Sequence, residues 1–167
     1  MSAAARADRS GVWAANDPIA LDAIEALRAH RLQPGIDIGV VGLNWSPEAL
    51  TAISQGTLLM SDGGRFFAGA WAMVVLCDLF DGVGYPGSAR TLRFQMSPVN
   101  AANIEAFRAA LGDIIVRSAF DGIDFSRFLI SKYGDPSDYD FSVPALIAAI
   151  RSGQKDCAGS CASLSVH

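Results

Sequence analysis

The sequence predicts an α/β fold: a parallel sheet with flanking helices, followed by a mainly helical carboxyl-terminal segment. Two observations carry that prediction. Over roughly the first eighty residues, short apolar runs alternate with amphipathic stretches in the order strand, helix, strand, helix, strand, helix, a spacing that implies parallel pairing through right-handed crossovers. Beyond Met96 the alternation stops and the remaining periodic segments are helical.

The first apolar run, Gly11 to Ala15, breaks at Asn16-Asp17-Pro18. Asp17 suits an N-cap and Pro18 the first helical position, where proline has no N–H to lose and its φ is preset. Ala20, Ala23, Ile24 and Leu27 then recur on one helical stripe that ends near Arg31. Ile36 to Val41 reads as a strand buried on both faces, opening at its carboxyl end into Gly42, Asn44, Trp45 and a Ser46-Pro47 helix start. Ligands of open α/β sheets lie beyond the carboxyl ends of the strands, so Asn44 and Trp45 stand where a site is expected. The second helix carries Leu50 and Ile53 inward and stops at Gly56. Thr57 to Ser61 is the third strand; the turn Asp62-Gly63-Gly64-Arg65 leads into a strongly apolar helix from Phe66 to Phe80. Trp13, Trp71 and Cys77 read as core residues.

Arg90 to Met96 alternates like a half-exposed strand. Asn100 can cap a helix through Leu111, and short helices are expected at 113–118, at 126–132 behind Ser126 and at 144–151 behind Ser142, with a turn-rich connector between Lys132 and Phe141. The expected organisation is a disordered start (1–10), an α/β lobe (11–96), a helical extension (97–152) and a flexible tail (153–167).

Composition narrows the function. The chain is 51% hydrophobic and 18% charged, as a globular domain is. Its longest apolar run, Ala68 to Leu79, is too short to cross a bilayer. A net charge of −4 with scattered cations argues against nucleic acid as the main partner. Arg6 and Arg9 precede no apolar stretch before Trp13, so no secretory signal is read. No nucleophile elbow, Walker loop, HExxH or dinucleotide fingerprint occurs, so no catalytic residue and no cofactor is assigned. Cys157-x3-Cys161 with His167 lacks the spacing of a structural zinc site, and no metal is expected.

The candidate ligand groups all fall at the carboxyl ends of the predicted strands. Asn16 and Asn44 end adjacent strands, where both amides could reach one ligand, although each residue type also closes local turns through its own backbone. Trp45 offers an indole either to stack on a ligand or to pack on the sheet edge. Asp62, Gly63, Gly64 and Arg65 open a helix whose free N–H groups favour an anion or a polar ligand; a tight βα connection uses the same residues.

Three stretches resemble the type I periplasmic solute-binding proteins for sugars, whose fold is related to the effector domains of the lactose-repressor class. They are Val12-Trp13-Ala14-Ala15-Asn16-Asp17-Pro18-Ile19-Ala20-Leu21-Asp22-Ala23, then Asp37-Ile38-Gly39-Val40-Val41-Gly42-Leu43-Asn44, then Glu48-Ala49-Leu50-Thr51-Ala52-Ile53-Ser54-Gln55-Gly56, in the family's order and separation. The resemblance covers only the carboxyl-terminal part of that family's chain. It implies half of a type I periplasmic-binding-protein fold, a carbohydrate-like solute held by Asn16, Asn44 and the 62–65 turn, no catalysis, a periplasmic location, and a membrane permease or sensor as partner of the complete protein. Asn44 stands where the family usually has aspartate, which removes a charge and adds a donor. Two other readings remain at this point. One is a small nucleotide- or phosphate-binding domain using the 62–65 turn; the other is an incomplete fold without activity, whose open sheet edge favours self-association.

Overall fold

A computed structural model describes residues 10–83, 95–112, 114–115, 123–133 and 139–156. They divide between two compact units, one formed by residues 1–66 with 96–119 and the other by 67–95 with 120–167. The division differs from the expected 11–96 lobe, because the last strand of the sheet lies beyond residue 96 and the apolar helix joins the second unit.

The first unit holds a four-stranded sheet in the order β1-β2-β3-β4, with β1 Gly11–Trp13, β2 Gly39–Leu43, β3 Met60–Gly63 and β4 Ser97–Asn100. The first three strands are parallel, and β4 runs antiparallel to β3. Helices α1 (Asp17–Ala29) and α2 (Pro47–Ser54) make the crossovers. Both crossovers step the same way across the sheet, so right-handedness puts both helices on one face. Ala20 and Ile24 of α1 and Ala49, Leu50 and Ile53 of α2 are buried there with Val40. Trp13, Gly39 and Val41 lie on the opposite face, where Leu59 approaches Gly39 and lines an open cavity of about 370 Å³. Trp13 is therefore 71% exposed, contrary to its expected place in the core.

Several element boundaries move for local reasons. The N-cap of α1 is Asn16, not Asp17: Asn16 is extended and its Oδ1 accepts the Ile19 N–H at 3.0 Å. Ser46 caps α2 as expected, accepting the Ala49 N–H at 3.2 Å. Strand β2 begins at Gly39 because Asp37 closes a turn by accepting the Gln33 N–H at 2.7 Å; Ile36 is left exposed, and β2 is buried on one face only. Strand β3 begins at Met60, since the Thr57 and Leu58 N–H groups still bond Ala52 O and finish α2. Residues 90–94 of the expected fourth strand lie outside the described residues, Gln95 and Met96 are not in a strand, and pairing starts at Ser97. Asn100 belongs to that strand. The following helix, α4, runs from Ile104 to Phe107 and widens into a π-turn at Arg108–Gly112.

A 3-10 turn, Arg65–Phe67, carries the chain from the first unit into α3 (Ala68–Phe80) of the second. Trp71 is buried there as expected, its centroid 4.8 Å from the stacked ring of Phe141 and 4.9 Å from Phe128. Asp78 is also fully buried: its carboxylate accepts the Ile130 and Ser131 N–H groups and the Tyr139 hydroxyl, each at 2.9 Å. Helix α5 (Ile130–Tyr133) thus starts on an aspartate of another element. Contrary to the expected cap, Ser126 does not start a helix; Asp124 accepts its N–H at the start of a 3-10 turn, Phe125–Phe128. Ser142 does cap α6 (Val143–Asp156), accepting the Ala145 N–H at 3.2 Å. Cys77 is exposed rather than buried, on a side of α3 that also leaves Met73, Leu76 and Phe80 exposed. The expected helix at 113–118, the tail after Asp156 and the centre of the Lys132–Phe141 connector lie largely outside the described residues. No helix among the described residues is long and apolar enough to cross a membrane.

Candidate functional site

Every candidate residue lies at the carboxyl edge of β1, β2 and β3. Trp13 pairs with Val41 and Leu43 with Asp62, so the turns that follow the three strands are neighbours. The first turn carries Asn16, half-buried, whose Oδ1 is committed to capping α1. The cap leaves its NH2 group without a protein partner among the described residues, a free donor at the sheet edge.

The second turn is the most constrained backbone of the unit. Asn44 has φ 103° and Trp45 φ 59°, two consecutive non-glycine residues in the left-handed region, a conformation that L-residues adopt only where the surroundings enforce it. The enforcing bonds fall on three consecutive N–H groups. Asn44 donates to Asp62 O at 2.7 Å, Trp45 to Ser61 Oγ at 3.0 Å and Ser46 to Asp17 Oδ2 at 2.7 Å. Asn44 itself is half-buried, and its side chain makes no hydrogen bond to another described residue.

Trp45 is fully buried. Its Nε1 donates to Ser61 O at 3.1 Å and Ser97 O at 3.0 Å, and its ring meets Phe107 and Phe66 edge-on at 4.8 and 5.8 Å. The indole faces are covered, so the stacking platform expected from the sequence is instead a packed residue that fastens β2, β3 and β4 together. Gly63 is buried beneath it: a Cβ there would stand 2.5 Å from the indole, so only glycine lets the ring lie against β3. Gly64 has φ 105° and turns the chain toward the 3-10 turn. Asp62 Oδ1 accepts the Gly63 N–H at 3.0 Å and keeps one oxygen open. Arg65 is exposed and makes no ion pair with any described residue.

Asp17 is the group the sequence reading missed. It is fully buried at the first position of α1, with Ser61 Oγ donating to Oδ1 at 2.7 Å as well as the Ser46 N–H on Oδ2. Burial pushes its carboxyl above the ordinary aspartate range, against the opposing bonds from Ser46 and Ser61. Gly42 leaves room for it: a Cβ at Gly42 would stand 2.4 Å from Asp17 Oδ1. The only local signal in the sequence is an aspartate one residue later than the cap needs.

No cluster of metal-ligating residues exists among the described residues; Cys157, Cys161 and His167 lie outside them. The edge offers amide donors and acceptors, one carboxylate oxygen and one guanidinium.

No protein-family model and no curated protein matches the chain. Solved structures do. A periplasmic sugar-binding protein from Pseudomonas fluorescens is 31% identical and superposes with a TM-score of 0.68 over 83% of this chain and 41% of its own. The periplasmic component of an arabinose ABC transporter from Shewanella, 20% identical, matches 70% of this chain and 37% of its own with a TM-score of 0.52. A periplasmic ribose ABC transporter protein from Conexibacter woesei, 23% identical, matches 64% and 35% with 0.54. The last two show the fold alone. This chain spans about two fifths of the length of the structures it resembles.

Proposed function

We propose, from a chain that carries part of the type I periplasmic sugar-binding fold, that its carboxyl sheet edge is one half of a cleft for a sugar or sugar-like solute, binding it without catalysis. The observation that carries this reading is the juxtaposition of Asn16 and Asn44, two amides on neighbouring strand ends, with the second presented by a turn whose every N–H is tied down. Amides in fixed orientation can bridge pairs of ring hydroxyls, and an edge that is already ordered loses little entropy when it binds. Asp62 and Arg65 extend the same edge, while Gly63, Gly64 and Trp45 shape it from beneath. In the complete protein the other lobe closes over the solute, in the periplasm, and a membrane permease or sensor reads that closure. The exposed Trp13 and the edge of β1 that is unpaired among the described residues favour self-association of this chain.

The test is a titration of the isotope-labelled chain with arabinose, ribose and galactose followed by amide NMR. The expected result is a saturable shift of signals from residues 16, 44 and 62–65, with Asn44→Ala weakening binding by more than about tenfold, the scale of a lost hydrogen-bond pair. Shifts elsewhere, or none with any sugar up to tens of millimolar, would overturn it. Shifts at 62–65 with nucleotides or phosphate but not with sugars would replace it by the anion-binding reading.

A further inference from the structure

We infer that Asp17 is the positioning residue of this edge, one buried carboxylate that ties the turn bearing Asn16 to the turn bearing Asn44. The inference rests on the sugar-binding reading for its purpose and on geometry alone for its mechanism.

Three observations carry it. Asp17 follows Asn16 directly, so fixing Asp17 fixes where α1 starts and where the Asn16 amide stands. Its two oxygens are divided between the two other strand ends: Oδ2 takes the Ser46 N–H after β2, and Oδ1 takes the Ser61 hydroxyl within β3. Ser61 Oγ then accepts the Trp45 N–H, so two of the three N–H groups that hold the left-handed turn depend on this carboxylate, one directly and one through a hydroxyl. No cation is paired with Asp17 among the described residues, and its Oδ1 lies where a Cβ on Gly42 would stand. A buried, unpaired carboxylate is costly to keep where an apolar residue would fill the space. Here it supplies two acceptors to a turn that a neutral side chain at that position could not hold in the same way.

Hydrogen exchange of individual backbone amides tests this in the chain as it stands. Asp17→Ala is expected to speed exchange at Ser46 by at least about tenfold more than at Val40 in β2 or Ile53 in α2, the effect of a lost bond to a charged acceptor. Ser61→Ala is expected to speed Trp45 selectively and to leave Ser46 protected, because Asp17 still holds it. The second variant keeps the question open to refutation if the first does not fold. Uniform acceleration over the whole sheet would mean that Asp17 only stabilises the fold, and unchanged exchange at residues 45 and 46 would mean that it holds nothing; either overturns the inference. Sugar titration of the same variants separates the two levels. Wild-type binding that falls by about tenfold or more in Asp17→Ala, alongside selective exchange, supports positioning, and binding left intact despite a loosened turn refutes it. If the wild type binds no sugar, the functional reading fails while the exchange pattern still decides what Asp17 holds.

Discussion

Asp17 and Asp78 are both fully buried, one in each unit, and their carboxyls are pushed in opposite directions. Burial acts the same way on both, disfavouring the charge. At Asp78 it is outweighed by bonds from Ser131, Ile130 and Tyr139, which hold the carboxyl below the ordinary range; at Asp17 the bonds from Ser46 and Ser61 do not outweigh it. Asp78 thus anchors a helix start in a way that favours its own ionisation. Asp17 holds a strained turn against its own solvation. Both carboxylates are fully buried, and what separates them is the balance of desolvation against the bonds donated to each.

The largest effect that would sharpen this contrast is expected from Asp78→Ala. It removes the shared acceptor of the Ile130 and Ser131 N–H groups and the Tyr139 hydroxyl, and is expected to lower stability by about 3 kcal/mol in denaturant titration. A loss under 1 kcal/mol would show that those donors find other partners. Gly42→Ala comes next. Its Cβ would meet Asp17 Oδ1 at 2.4 Å and Ala20 Cβ at 3.2 Å, so displacement of the carboxylate is expected to cost about 2 kcal/mol, with selective loss of amide protection at Ser46. Ordinary protection at Ser46 in that variant would mean that the seat has slack.

The smallest effect, and the most direct on the comparison, is the pH dependence. Asp78 has a folded value below its unfolded one, so its contribution is present above the ordinary aspartate range and is lost as pH falls through the depressed value. Asp17 has a raised folded value, so its ionisation costs stability at neutral pH and that cost disappears as pH falls through the raised value. Denaturation midpoints measured between pH 7 and 3 are expected to show Asp78→Asn flattening the acid-side decline and Asp17→Asn removing an opposing gain at milder acidity. Like-signed changes in the two variants would abolish the distinction drawn between them.

The sequence by itself determined the alternation of strands and helices, the Ser46 and Ser142 caps, and the carboxyl edge where Asn16, Asn44 and the 62–65 turn meet. Each of these rests on interactions within a few residues: periodicity, a hydroxyl reaching an N–H three residues on, a turn that follows a strand. Tertiary structure alone decided that Trp45 is packed and Trp13 exposed, that Cys77 faces outward, and that Asp17 is a tie rather than a cap. The reason is the same in each case. A tryptophan in a strand carries no mark of which face the helices will cover, and that depends on strand order, here two right-handed crossovers stepping the same way and leaving Trp13 on the face opposite the helices. An aspartate beside a cap carries no mark of donors 29 and 44 residues further along. Those partners exist only once β1, β2 and β3 lie side by side.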